Sequence, residues 1–130
     1  MNPVVHFEMP AQDRKRMGDF YANVFGWNIQ HLGPEMMDYV VVHTAETDEN
    51  NMVKQPGAIN GGFYQRTEDP ALNAPSVVIS VNNIRDHIKK VTAAGGKILG
   101  DVMPIPGIGD WVSFIDTEGN RVSMLQPKGI

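Results

Sequence analysis

The sequence predicts an α+β fold of two tandem βαβββ modules, whose curved mixed sheets enclose a cavity. Two segments with helical periodicity support this prediction, because each follows one strand-like run and precedes three more. The spacing between capping positions is the same in both copies, from Asp13 to Gly26 and from Asn82 to Gly95. A helix covers only one face of a four-stranded sheet, so the open faces of two such units can curve around a ligand.

The first copy is predicted from one amphipathic helix and four apolar runs. The apolar face of the helix consists of Met17, Phe20, Tyr21, Val24 and Phe25, spaced three and four residues apart. Asp13 suits the N-cap, and Gly26 suits the left-handed position after the last turn. The strand-like runs cover residues 4–9, 27–32, 38–44 and 57–64.

The second copy repeats this pattern. Its helix carries Ile84, Ile88 and Val91 on one face, is capped by Asn82 or Asn83, and ends at the pair Gly95–Gly96. Its strand-like runs cover residues 77–81, 97–102, 109–116 and 121–126. Residues 65–76, rich in Pro, Asn and Ser, are the predicted linker. We therefore predict one domain over residues 1–130, with modules at 1–65 and 76–130.

Composition and charge exclude several classes of function. The net charge of −4 argues against nucleic acid as a partner, because phosphate binding needs a basic surface. The chain has no cysteine, which excludes disulfides, thiolate metal sites and cysteine nucleophiles. No segment has the pattern of a signal peptide or the length of a transmembrane helix. We expect no membrane partner and a cytoplasmic location.

The first predicted strand carries two ionisable residues, His6 and Glu8, two positions apart. Side chains alternate across a strand, so both point to the same face of the sheet. Three interpretations stay open from the residues alone: a metal site, a proton-transfer pair, and a hydrogen-bonded pair with a structural role. We take His6 and Glu8 as the candidate catalytic residues.

Four segments resemble the vicinal oxygen chelate superfamily, which includes glyoxalase I, extradiol dioxygenases and bleomycin-resistance proteins. They are "HFEMPAQD" (6–13), "FYANVFGW" (20–27), "AAGGKIL" (93–99) and "MPIPGIGDWVSFIDTEGNRVSML" (103–125). The strongest likeness is to a poorly characterised glyoxalase-like subgroup. The resemblance covers nearly the whole chain and implies a paired βαβββ fold that is usually assembled as a homodimer.

The resemblance also implies a divalent metal in the metal-dependent members, held by one residue on each of the first, fourth, fifth and eighth strands. His6 matches the first of these positions. The other three fall near Gly61, at Ser76 and at Ser123, where glycine and serine are poor ligands for transition metals. Glu8 can replace one lost ligand, but two ligands make a weak site. We therefore predict no metal and no other cofactor.

Five further residues are predicted to line the ligand cavity. Phe63 and Trp111 offer apolar contact and stacking, although core packing explains Phe63 slightly better. Ser76 and Ser123 stand at the expected metal positions. Tyr39 shares a face with Val41 and His43, and lines the cavity if that face points inward, whereas a cross-strand surface pair explains it equally well.

Two hypotheses about function follow. The first is a glyoxalase- or bleomycin-resistance-like protein that lacks the standard metal site and binds a small apolar or aromatic molecule. The second is a lyase, isomerase or dioxygenase-like enzyme that uses His6 and Glu8, with or without a weakly held metal. The missing carboxylate on the eighth strand favours the first, and the inward His–Glu pair favours the second. The sequence does not decide whether the protein is an enzyme.

Overall fold

The computed structural model describes residues 1–128. The chain divides into two compact units, one of residues His6–Pro75 and one that runs from Ser76 onward and includes Met1–Val5. The order strand–helix–strand–strand–strand occurs twice, which confirms the predicted α+β class. In chain order the elements are β1 (Val4–Ala11), α1 (Arg14–Phe25), β2 (Asn28–His31), β3 (Val40–His43), β4 (Asn60–Gln65), β5 (Ser76–Ser80), α2 (Ile84–Ala93), β6 (Lys97–Ile105), β7 (Gly109–Ile115) and β8 (Arg121–Pro127).

In the first unit the strands lie in the order β2, β3, β4, β1. Strands β2, β3 and β4 are antiparallel neighbours, and β1 runs parallel to β4. The register places Glu8 of β1 and Val41 of β3 on either side of Gly62 of β4. It also pairs His6 with Asn60. Residues that are partners across strands share a face, so the register decides which side chains can meet.

The two faces of this sheet differ in chemistry. One face packs under α1 and carries the core, which consists of Ala11, Val40, Val42 and Phe63, with Phe7, Met9, Met17, Tyr21, Trp27 and Ile29 packed against it. The residues between these positions point to the other face because side chains alternate along a strand. That second face carries His6, Glu8, Gly62, Val41 and His43.

Helix α1 begins and ends at the residues predicted from the sequence. The Asp13 side chain accepts a hydrogen bond from the backbone N–H of Arg16 at 2.9 Å, as an N-cap does. Gly26 has a left-handed backbone with φ of 73°, and its N–H bonds to the carbonyl of Ala22. Within the described part of the chain, no helix is long and apolar enough to span a membrane.

In the second unit the strands lie in the order β5, β8, β7, β6, with β5 parallel to β8 and the other pairs antiparallel. Asn83 caps α2 by accepting from the N–H of Asp86 at 3.1 Å. The core on the helix side consists of Val81, Ile84, Val112 and Met124. By alternation, the residues beside them, such as Trp111 and Ser123, point to the opposite face.

Candidate functional site

Three polar side chains form a hydrogen-bonded chain on the face of the first sheet that is opposite α1. The hydroxyl of Tyr39 donates to Glu8 Oε2 at 3.1 Å and lies 3.4 Å from His6 Nε2. Glu8 is only 7% exposed, and His6 and Tyr39 are half-buried. We call these three residues the polar triad. Buried polar groups of this kind are stable only when they are hydrogen-bonded. The Tyr39 phenol supplies such a partner to both β1 side chains, His6 and Glu8.

Gly62 of β4 makes room for the phenol of Tyr39. It is the register partner of Glu8, so any side chain at position 62 would project beside the carboxylate. A Cβ atom placed on Gly62 would overlap the hydroxyl and ring of Tyr39. The phenol therefore fills the space that a fourth-strand side chain would occupy, and only glycine permits this approach.

We expect Gly62→Ala to lower the free energy of unfolding by about 1–3 kcal/mol, because the added methyl group overpacks a filled space. In a Tyr39→Ala background the methyl group meets no phenol, so the same change should cost less than about 0.5 kcal/mol. Urea unfolding of the wild type, both single variants and the double variant gives this coupling directly. An equal cost in both backgrounds would show that Tyr39 does not occupy this space.

His6 is held in its neutral form. Burial lowers its pKa from 6.5 to about 4, and the nearby charge of His43 acts in the same direction. Burial does so because the charged imidazolium loses more hydration than the neutral ring. The His6 Nε2 and the Tyr39 hydroxyl oxygen lie within hydrogen-bond distance, and which of the two donates depends on the tautomer of the ring.

The structure brings His6, Glu8 and Tyr39 together but places Phe63 on the opposite face. Phe63 is fully buried in the core beneath α1, with its ring centroid 5.7 Å from that of Tyr21. The prediction that Phe63 lines the ligand site is therefore wrong, and core packing is its role. The physical reason is alternation: Phe63 directly follows Gly62, so its side chain points the other way.

The other three predicted site residues, Ser76, Trp111 and Ser123, belong to the second unit. Ser123 is fully buried, with its Oγ 2.9 Å from Ser113 Oγ, and Arg121 Nη1 donates to the two hydroxyls at 3.5 and 3.4 Å. Trp111 is half-buried. The hydroxyl of Ser76 is buried and makes no hydrogen bond within residues 1–128. Their role as ligand contacts stays a prediction.

The side chains present do not fit the metal that the resemblance implies. The fourth-strand position is Gly62 and not Gly61, because Gly61 faces the helix side, where its missing side chain makes room for the ring of Phe7. Neither glycine supplies a donor, and Ser76 and Ser123 are poor ligands. Across residues 1–128, no group of three or more His, Cys, Asp or Glu side chains is arranged to hold a metal ion.

A cleft of about 430 Å³ lies elsewhere on the first unit, at the start of α1. Its lining residues are Gln12, Asp13, Arg14, Lys15, His31, Leu32, Asp38 and Gln65. This lining is polar and shares no residue with the polar triad. We take the triad face as the candidate functional site because it brings two ionisable side chains and a phenol together in half-buried or buried positions.

Two comparisons with known sequences identify the family. The model of the family described as "Bleomycin resistance protein-like N-terminal" matches residues 4–45, a segment that includes the whole polar triad. A "Glyoxylase-like domain-containing protein" from Didymella fabae is 30% identical over 125 residues, which cover 94% of this chain and 91% of that protein. The chain belongs to the glyoxalase-like family of the vicinal oxygen chelate superfamily.

Solved structures share the fold of this glyoxalase-like chain at low identity. Methylmalonyl-CoA epimerase from Streptomyces coelicolor, in complex with 2-nitronate-propionyl-CoA, is 12% identical with a TM-score of 0.72, covering 100% of this chain and 97% of that chain. A glyoxalase/bleomycin resistance protein/dioxygenase superfamily member from Vibrio splendidus is 15% identical with a TM-score of 0.61, covering 97% and 99%. Similarity at this level establishes the fold and leaves the chemistry to the site.

Proposed function

We propose that this glyoxalase-like protein binds a small aromatic or apolar molecule without a metal, using the polar triad for recognition. The observation that carries the proposal is the packing of the Tyr39 phenol against Gly62. In metal-dependent relatives the resemblance places a ligand at this fourth-strand position. Here the phenol fills the space and ties up His6 Nε2 and Glu8 Oε2 in hydrogen bonds.

The triad favours a particular kind of ligand. We infer that the neutral imidazole bonds to Tyr39 through Nε2 and offers Nδ1 as the acceptor, so it suits a ligand with an N–H or O–H donor, such as a phenol, an indole or an amide. A neutral ring also suits an otherwise apolar ligand better than a cation does, because no charge has to be buried on binding. We therefore infer an aromatic or apolar molecule that carries at least one hydrogen-bond donor.

An enzyme of the isomerase or lyase class is the second candidate. The continuous hydrogen-bonded chain from His6 through Tyr39 to Glu8 supports it, because such a chain could relay a proton. A general base works best when its pKa lies near the working pH. The pKa of His6, lowered to about 4, makes the ring a weak base, and this favours recognition over catalysis.

The proposal includes self-association and a cytoplasmic location. Phe20, Val24 and Phe25 of α1 are more than half exposed, and exposed apolar clusters often mark protein interfaces. Sedimentation velocity at micromolar concentration tests the homodimer. A monomer across the whole concentration range would contradict it.

The binding proposal is tested with named probes in EDTA: phenol, indole and benzamide. We expect at least one probe to shift the NMR signals of His6 and Tyr39. Tyr39→Phe should weaken its binding about tenfold, the cost of one hydrogen bond in a buried network. Tyr21→Phe removes a phenol from the helix side of the same sheet and should leave the affinity unchanged.

Two results would overturn this proposal. One is a panel in which no probe perturbs His6 or Tyr39. The other is an equal effect of Tyr39→Phe and Tyr21→Phe on the affinity of the probe that binds.

A further inference from the structure

The backbone that delivers Tyr39 to the triad is strained just before that residue. Met37 and Asp38 both have left-handed backbones, with φ of 56° and 52°. This region is unfavourable for any residue with a Cβ atom, and two such residues in succession are uncommon. A strained segment persists only where its surroundings hold it. Something must therefore hold residues 37 and 38 if Tyr39 is to stay in place.

The side chain of Arg14 provides that hold. Its Nη1 donates to the carbonyl of Met37 at 3.2 Å and to the carbonyl of Asp38 at 3.0 Å. Arg14 is the first residue of α1, on a different element from the strained segment. The next residue, Lys15, has the same charge but pairs with Asp19 within its own helix. The two cations thus form a natural pair for comparison.

Hydrogen bonds within the turn add to this hold. The N–H of Asp38 bonds to the carbonyl of Gly33 at 3.0 Å, and the N–H of Tyr39 bonds to the carbonyl of Met36 at 3.1 Å. These bonds satisfy the N–H groups of residues 38 and 39, whereas Arg14 binds the carbonyls of residues 37 and 38. Arg14 therefore adds, from another element, one hydrogen bond to the carbonyl of each of the two left-handed residues.

We propose that Arg14 is a positioning residue, which holds Met37 and Asp38 in their left-handed conformation and so keeps the phenol of Tyr39 over Gly62. This role rests on the proposed function only in its consequence for ligand binding. The positioning itself is a property of the free protein. Arg14 bonds to the backbone of residues 37 and 38 and acts on Tyr39 through it.

The test is an NMR measurement of the NOE between the ring protons of Tyr39 and the Hα protons of Gly62, in the full chain without ligand. Arg14→Gln should weaken this NOE at least threefold. Lys15→Gln, which removes the same charge from the neighbouring position, should leave it unchanged. Arg14→Lys should weaken it to a smaller extent, because the ammonium keeps the charge and N–H donors but cannot place its nitrogen where Nη1 donates to both carbonyls.

A rescue variant separates positioning from general destabilisation. Glycine adopts the left-handed region freely, and the Met37 side chain is 69% exposed, so Met37→Gly removes strain without removing core packing. Adding Met37→Gly and Asp38→Gly to Arg14→Gln should restore most of the NOE, because both left-handed residues are then glycine. A full-strength NOE in Arg14→Gln, or its continued absence in the triple variant, would overturn the proposal.

Probe binding distinguishes the two proposals. If Arg14→Gln loses the NOE while the wild type binds none of the probes, Arg14 positions Tyr39 but the proposed binding function fails. If the wild type binds a probe through Tyr39 and Arg14→Gln binds it equally well with an intact NOE, the binding function stands and the positioning role fails.

Discussion

Replacing Phe63 by alanine should lower the free energy of unfolding by about 3–5 kcal/mol, the usual cost of emptying a buried aromatic site. Phe63 is 0% exposed and packs in the core under α1. Its ring also contacts Tyr21 in a tilted arrangement, with centroids 5.7 Å apart. Urea unfolding followed by tryptophan fluorescence measures the loss.

Phe63→Leu is the matched control, because it keeps most of the apolar volume and should cost about 1–2 kcal/mol. A residue that merely lines a ligand site would behave differently: its loss would weaken binding and hardly change stability. A stability loss below about 1 kcal/mol for Phe63→Ala would contradict the assignment of Phe63 to the core.

Acidification should destabilise the protein through His6 by about 3 kcal/mol between pH 6.5 and pH 4. In the unfolded chain the imidazole titrates near 6.5, whereas in the folded protein burial and the charge of His43 lower its pKa to about 4. Between these values the unfolded state binds a proton that the folded state does not, so stability falls as the pH falls. Well above pH 6.5 the ring is neutral in both states and contributes no pH dependence.

Urea unfolding at several pH values from 4 to 7.5 measures this effect. The titratable groups near His6 within its unit are Tyr39, Glu8 and His43. All three stay as in the wild type in every variant of this experiment. His6→Gln should flatten the dependence in this window, and His31→Gln, which alters an exposed ring, should leave it as in the wild type. Equal slopes for the wild type and His6→Gln would contradict the burial of a neutral His6.

Much of the fold was predictable because it depends on local patterns. Apolar residues at helical spacing located both helices, and Asp13 and Gly26 marked the ends of α1 through capping chemistry that involves neighbouring residues only. The twofold repeat of elements then indicated the βαβββ order. The shared face of His6 and Glu8 followed in the same way from the alternation of a single strand.

The details of the site were less predictable because they depend on register between strands. β4 carries two adjacent glycines, but only the structure shows that the group packed against Gly62, the register partner of Glu8, is the phenol of Tyr39. The sequence placed the fourth-strand metal position near Gly61, one residue away from Gly62, which is the residue that shares a face with His6 and Glu8. The contact of Arg14 with residues 37 and 38 joins elements 23 residues apart, and no local pattern indicates it.

The central claim is that the polar triad recognises its ligand without a metal ion. The most direct test is the affinity of the wild-type protein for the strongest-binding probe of the panel, measured by calorimetry in EDTA and again after addition of Mn²⁺, Co²⁺, Ni²⁺ or Zn²⁺. The triad account predicts a dissociation constant that stays the same within about twofold in every condition. Binding that appears only with an added metal, together with one tightly held metal per chain, would contradict it.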